Sequence, residues 1–358
     1  MADFNLTLKN KKVFLTGHTG FKGAWMSVWL SVMGASVKGY ALQPEKISLY
    51  NQIKDELKNH NSVISDIRNK KKLEKEILSF QPDFIFHFAA QPLVLESYKN
   101  PVETFEVNVI GTANLLDAVR ALKKKCVIVI VTTDKVYQNI EADYAYKESD
   151  KLGGYDPYSA SKAAAEIIIE SYRLSFFNPL NFSKHRKVVS SVRAGNVIGG
   201  GDYAENRLLP DIYRSLSKSK TIKVRNPNAV RPWQHVLESL SGYLALAAAM
   251  KKNPVKYASS FNFGPQINDA LSVEEVVQQA IKNWGSGKYS VAKQSHAHHE
   301  AGLLKLNIDK TKKELGWMPK WNSQVAIELT MNWYMESLKN KSEKFNLCIS
   351  DIEKYKKY

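Results

Sequence analysis

Short apolar runs that halt at glycine or at small polar residues, each followed by a helical stretch, constrain this chain more than any other feature. Val13-Phe14-Leu15-Thr16 has buried-strand character and stops at Gly17, and Ala24 to Met33 then reads as a helix ended by Gly34. Ser36 to Leu42 reads as a second strand, Phe84 to Phe88 as a third, and Val109 to Leu122 as a long helix. Val127 to Val131 is apolar and β-branched at every position, so neither face of that strand faces water and a parallel sheet covered on both sides is implied. Tyr158 to Phe176 continues as helix and Val188 to Val192 as strand. Strands alternating with helices predict an α/β fold with a Rossmann-type doubly wound parallel sheet. After about Arg193 the rhythm changes to a Gly199-Gly200-Gly201-Asp202 loop, a helix from Arg207 to Leu216, a short strand from Ile222 to Val224 and a Gly264-Pro265 turn. That shift marks a smaller C-terminal lobe, expected to close over the strand ends.

Gly17-x-x-Gly20-x-x-Gly23 sits between the first strand and its helix. Glycine there permits a tight turn and a close pyrophosphate approach, and the helix N-terminus favours the negative charge. A glycine turn that only packs a helix on a sheet would have the same spacing, so the case for a dinucleotide rests on the flanking elements. The second strand ends Ala41-Leu42-Gln43-Pro44, without an acidic residue for ribose hydroxyls or an arginine for a 2′-phosphate. Asp66, in Ser65-Asp66-Ile67-Arg68, is either a contact for the adenine edge or an exposed loop carboxylate.

Three further groups point to chemistry. Tyr158 and Lys162 lie four apart on one helix face, where an ammonium favours phenolate and lowers the tyrosine pKa from about 10. Thr132-Thr133-Asp134-Lys135 leaves the carboxyl edge of a central strand, the usual ligand crevice of such sheets. Asn196, Arg207 and Arg231 are candidates for gripping a diphosphate. His296, His298 and His299 match no metal spacing and read as a polar loop, and no metal site is expected.

Composition excludes several classes. Hydrophobic residues at 44% and aromatics at 11% argue against disorder. The longest apolar stretches, such as Tyr243 to Met250, are too short to cross a bilayer, so no membrane partner is expected. Two distant cysteines, Cys126 and Cys348, make a disulfide unexpected and fit a reducing cytoplasm. The net charge of +16 would suit nucleic acid, yet only nine of the 51 basic residues are arginine, the residue that base and phosphate readers favour. A solvated lysine surface is the reading adopted, with no nucleic-acid partner.

The glycine turn, the strand-end threonine and Tyr158-x-x-x-Lys162 resemble the extended short-chain dehydrogenase/reductase family, which modifies nucleotide sugars. Within it, Gly17 to Gly23, Ala89-Ala-Gln-Pro-Leu-Val94, Thr133-Asp-Lys135, the 193–202 and 225–235 segments, His299-Glu-Ala301 and Leu315-Gly-Trp317 are most similar to the CDP-glucose 4,6-dehydratase branch. The resemblance implies NAD as cofactor, held by Gly17, Thr19, Gly20, Phe21, Lys22, Gly23, Asp66, Ile67, Ala89, Ala90, Asn108, Thr132, Tyr158 and Lys162. It implies a nucleotide-sugar substrate, CDP-glucose, contacted by Gln91, Asn196, Arg207, Leu208, Arg231 and His299, and catalysis by Thr133, Asp134, Lys135, Tyr158 and Lys162. Leu95 departs from the arginine expected there. The domain boundaries that follow are 1–192 for NAD, 193–338 mainly for substrate with some segments returning to the first domain, and 339–358 as a charged tail. A homodimer or dimer of dimers through the helices near Val109–Leu122 and Tyr158–Phe176 is the family expectation, as is a place in deoxysugar and surface-polysaccharide synthesis.

The implied reaction runs in three steps: oxidation at C4, loss of water across C5 and C6, and hydride return to C6. Asp134 is the expected acid for the departing C6 hydroxyl. Lys135 is the expected C5 base, which from a reference pKa of about 10.4 needs on the order of 4–5 kcal/mol of ammonium destabilisation to titrate near neutrality. The alternative keeps Lys135 as a cation that stabilises the C4 enolate.

Overall fold

The computed structural model describes residues 4–291, 303–339 and 343–358. Seven strands form one sheet: β1 (Lys12–Thr16), β2 (Ser36–Ala41), β3 (His60–Ile64), β4 (Phe84–His87), β5 (Cys126–Val131), β6 (Lys187–Ala194) and β7 (Ser260–Phe263). Their order is β7-β6-β5-β4-β1-β2-β3, and every pairing is parallel. The order reverses beside β1, which lies between β2 and β4. The crevice at this switch point, outside the carboxyl ends of the strands, is where a doubly wound sheet takes its ligand.

Alternation along the strands divides the core into two layers. Val13 and Leu15 of β1 and Val127, Val129 and Val131 of β5 pack with the helices Phe21–Val32 and Val236–Lys252. Phe14, Ile128 and Ile130 face the other side, against Leu73, Ile77, Leu115, Val119 and Ile169 of three helices. Ile128 is fully buried, so its truncation to alanine is worth about 2–5 kcal/mol. A separate apolar cluster joins Leu209, Ile212 and Leu216 to Val276, Val277, Ile327 and Met331 near the strand ends.

Several sequence expectations shift by a few residues. The helix after β1 starts at Phe21 rather than Ala24, and the 109–122 stretch is a helix Gly111–Arg120 entered through a π-turn at Glu106–Ile110. The largest addition is the last 15 residues. Lys344–Lys357 forms a helix whose Cys348, Ile352 and Tyr355 are buried in the main core. Tyr355 packs edge-on against Trp29 and Trp321 and donates to Glu238 at 2.8 Å. The tail is therefore a docked element with an apolar face under its charged surface. His296, His298 and His299 lie outside the described residues.

Candidate active site

A cleft of about 1230 Å³ opens at the switch point. Its lining includes Gly17, Thr19, Gly20, Phe21, Lys22, Gly23, Asp66, Ile67, Ala89, Ala90, Thr132, Thr133, Asp134, Lys135, Tyr158, Lys162, Asn196, Arg207, Leu208 and Arg231. Residues from eight segments of the chain thus converge on one space.

The glycine turn forms its floor. Gly17 holds φ at +73°, and a Cβ there would stand 2.7 Å from the Ala89 amide nitrogen. A Cβ on Gly23 would stand 2.1 Å from the Gly17 carbonyl oxygen. Neither contact survives a side chain. Gly20 caps the helix with no side-chain hydrogen bond, which leaves the first-turn N–H groups for an anion. Thr16 Oγ1 accepts from the Phe88 and Ala89 amides at 3.1 Å each and so fixes the neighbouring strand end to the turn. This cradle fits a dinucleotide pyrophosphate. Asp66 lines the cleft but also grips Arg68 through four hydrogen bonds, from 2.7 to 3.1 Å. That grip holds its carboxyl below the ordinary value.

The helix Pro157–Ser175 places the tyrosine and lysine. Pro157 occupies the first turn and Asp156 caps it, accepting from the Ser159 amide at 2.9 Å. Alanines at 160, 163, 164 and 165 favour the helix, and the chain leaves it before Asn178-Pro179. Tyr158 enters the cleft from the first turn with its phenol facing Thr133. Burial pushes it up to about 12, so the phenol keeps its proton until a positive charge faces it. Lys162, one turn on, donates to the Val131 carbonyl at 3.1 Å, and burial brings it down to about 8. Lys22 reaches the same space. Burial, then Arg207 and Lys162, lower it to about 7.

Asp134 is 1% exposed. Its Oδ1 accepts from Thr133 Oγ1 at 2.9 Å, and its Oδ2 has no hydrogen-bond partner among the described residues. A Cβ on Gly195 would lie 1.9 Å from that Oδ2, so only glycine at 195 leaves room for the carboxyl. Lys135 lies half-buried in the same wall. Arg207 pairs with Asp202 at 2.9 Å, and the buried Arg231 lines the same cleft.

Two residues expected at the site stand behind its wall. Gln91 spends its side chain on Leu93 and Thr104, and Asn108 ties the Gln91 backbone to Ser161 of the catalytic helix. Two others escaped sequence reasoning. Glu166 and Arg193, each 3% exposed, form a bidentate pair at 3.0 Å. Glu166 also accepts from Thr132 and Ser191, and Arg193 donates to the Tyr137 hydroxyl at 2.9 Å. This pair fastens the Tyr158 helix, the end of β5 and the turn carrying Asp134 to one another. Its only trace in the sequence is a charged residue inside an apolar strand and a glutamate four residues after Lys162.

The sequence matches the GDP-mannose 4,6 dehydratase family over residues 14–330. It is 45% identical over 329 residues to the CDP-glucose 4,6-dehydratase of Salmonella typhimurium, covering 91% of each chain. It is 27% identical to the CDP-paratose 2-epimerase of Salmonella typhi, over 90% of this chain and 98% of that one. Among solved structures, the dTDP-glucose 4,6-dehydratase of Bacillus anthracis in complex with NAD superimposes with a TM-score of 0.76 at 24% identity, covering 92% of this chain and 98% of that one. The dTDP-glucose 4,6-dehydratase of Streptomyces venezuelae with NAD and TYD bound gives the same score and identity, over 91% and 97%. Agreement in fold with these structures, and in sequence along nearly the whole matched length, has one meaning: the chain belongs to the GDP-mannose 4,6 dehydratase family of extended short-chain dehydrogenases/reductases.

Proposed function

We propose that this chain is a CDP-glucose 4,6-dehydratase, converting CDP-D-glucose to CDP-4-keto-6-deoxy-D-glucose and water. The observation that carries this reading is Asp134, with an unpartnered Oδ2 beside the Tyr158–Thr133 pair. A simple alcohol dehydrogenase needs only the tyrosine and lysine. A buried carboxyl held against them serves a second proton transfer, and loss of the C6 hydroxyl requires one.

NAD, when bound in the glycine cradle, supplies the hydride acceptor for C4 and the donor for C6. Tyr158 takes the C4 hydroxyl proton, with Thr133 on the same oxygen and Lys162 supplying positive charge beneath. The resulting ketone acidifies the C5 hydrogen. Lys135 takes that proton, or stabilises the enolate as a cation, while Asp134 serves the departing C6 oxygen through Oδ2. Arg207 and Arg231 hold the diphosphate, and Asn196 and Leu208 line its path. Residues 1–192 bind mainly the cofactor and 193–338 mainly the substrate.

The protomer works as a homodimer or a dimer of dimers in the cytoplasm and feeds deoxysugar synthesis for polysaccharide. Val102, Phe105, Ile110, Ile167 and Leu174, each at least 38% exposed, form an apolar face on the packed helices 101–120 and 157–175 that a second copy covers. Light scattering of the eluting protein reports the mass, and a monomer would reject the dimer. Among the described residues no helix is long and apolar enough to cross a membrane.

The decisive experiment uses CDP-glucose deuterated at C4. Label recovered at C6 of the 4-keto product establishes the internal redox cycle. Product from the dTDP- or GDP-linked sugar, with none from the CDP one, would overturn the base assignment. Label lost to solvent would overturn the mechanism.

A further inference from the structure

Behind the catalytic helix, away from Tyr158, a second cleft of about 570 Å³ lies between the end of that helix, the edge strand β7 and the 307–310 segment. Arg173 lines it. That guanidinium is 8% exposed, and its Nη1 is buried with no hydrogen-bond partner among the described residues. Glu166 and Glu170 act on it only through space. A nearly buried guanidinium without a hydrogen-bonded partner is costly, and such groups are normally matched by an anion.

The other donors are already arranged toward the same space. Lys310 Nζ donates to Ser259 Oγ at 2.9 Å and to the Ser260 carbonyl at 2.8 Å, which leaves its third N–H. Ser259 Oγ accepts from Lys310 and Ser260 Oγ accepts from Arg193 at 3.2 Å, so each hydroxyl proton remains to be given. An arginine, a lysine and two serines converge, more donors than a carboxylate's two oxygens call for and a match for the three terminal oxygens of a phosphate monoester. Lys147 and Glu148 also line the cleft, the Glu148 carboxyl accepting from the Asn262 amide at 2.8 Å, and the exposed wall carries Ser149, Glu170 and Asp309, whose oxygens can accept from the hydroxyl groups of a ligand.

We propose that this cleft is a second, non-catalytic site for a small phosphate monoester bearing hydroxyls, with Arg173 and Lys310 holding the phosphate. Ser260 links it to Arg193, and so to the Glu166 pair that fastens the catalytic helix. Nothing in this proposal depends on which nucleotide sugar the main cleft accepts.

The test is calorimetric titration of inorganic phosphate, then of glucose 1-phosphate, into the full-length protein with NAD and CDP saturating, at constant ionic strength. Expected is one saturable site per chain, tighter for glucose 1-phosphate than for inorganic phosphate. Arg173→Gln should weaken it by about tenfold or more, the scale of one hydrogen bond to a charged group. Lys310→Gln, at a half-buried position on the 307–310 segment, serves if the arginine variant does not fold, and should also weaken binding. Arg207→Gln, in the main cleft, should leave it unchanged. No binding with the main cleft filled, binding indifferent to the Arg173 and Lys310 variants, or binding lost in Arg207→Gln would each overturn the proposal.

Discussion

Replacing Gly195 with alanine tests the role of Asp134 without touching a reacting group. The added Cβ would meet Asp134 Oδ2 at 1.9 Å and its Cγ at 2.5 Å, whereas real Cβ atoms essentially never approach within 3.0 Å. The carboxyl must therefore move by at least about 1.1 Å, the difference between 3.0 and 1.9 Å. Proton transfer to the C6 oxygen works over a window of about 0.6 Å, from roughly 2.6 to 3.2 Å, and a misplacement of about 1 Å costs on the order of a hundredfold in rate. Overpacking of this kind should take about 1–3 kcal/mol from stability, which leaves a folded protein to assay. Tyr158, Thr133 and Lys162 keep their places, so C4 oxidation should proceed while elimination stalls. Stopped-flow absorbance of reduced nicotinamide should then show a transient that the parent protein does not accumulate, and turnover should fall about a hundredfold. Turnover near the parent rate, or equal loss of the oxidation step, would refute the assignment of Asp134 to the dehydration.

Tyr158→Phe should lower turnover by about 10²–10⁴-fold with circular dichroism unchanged, since only a proton-transfer group is lost. Glu166→Gln strands the Arg193 guanidinium in the core and should cost about 3–5 kcal/mol in urea unfolding, with Arg193→Met added to it recovering part of the loss. Glu238, fully buried, is pushed up to about 7 by burial, against an ordinary value of 4.5. The folded protein then holds a proton that the unfolded chain has released, so stability falls as pH rises from about 4.5 to 7, by on the order of 3 kcal/mol. Melting temperatures across that range should fall less for Glu238→Gln; an equal fall would show that Glu238 is not the group responsible.

Much of this molecule is local in origin and hence legible. β-Branched runs, glycine stops, the cap and proline at Asp156-Pro157, and the four-residue spacing of Tyr158 and Lys162 are properties of neighbouring residues. From them come the parallel sheet, the glycine cradle and the strand-end site, because a parallel sheet with helical crossovers puts all of its βα turns on one edge. The long-range pairings left no such trace. That residues 260–263 return as the edge strand, that Tyr355 docks on Glu238 across more than a hundred residues, and that Gln91 turns to its own loop follow from how surfaces meet after folding. The same holds for the empty space that Gly195 keeps for Asp134 and for the pairing of Glu166 with Arg193. A carboxylate and a guanidinium have no sequence period. Burial selects their partner, because a charge taken out of water must be matched by whichever opposite charge the packed core brings within reach.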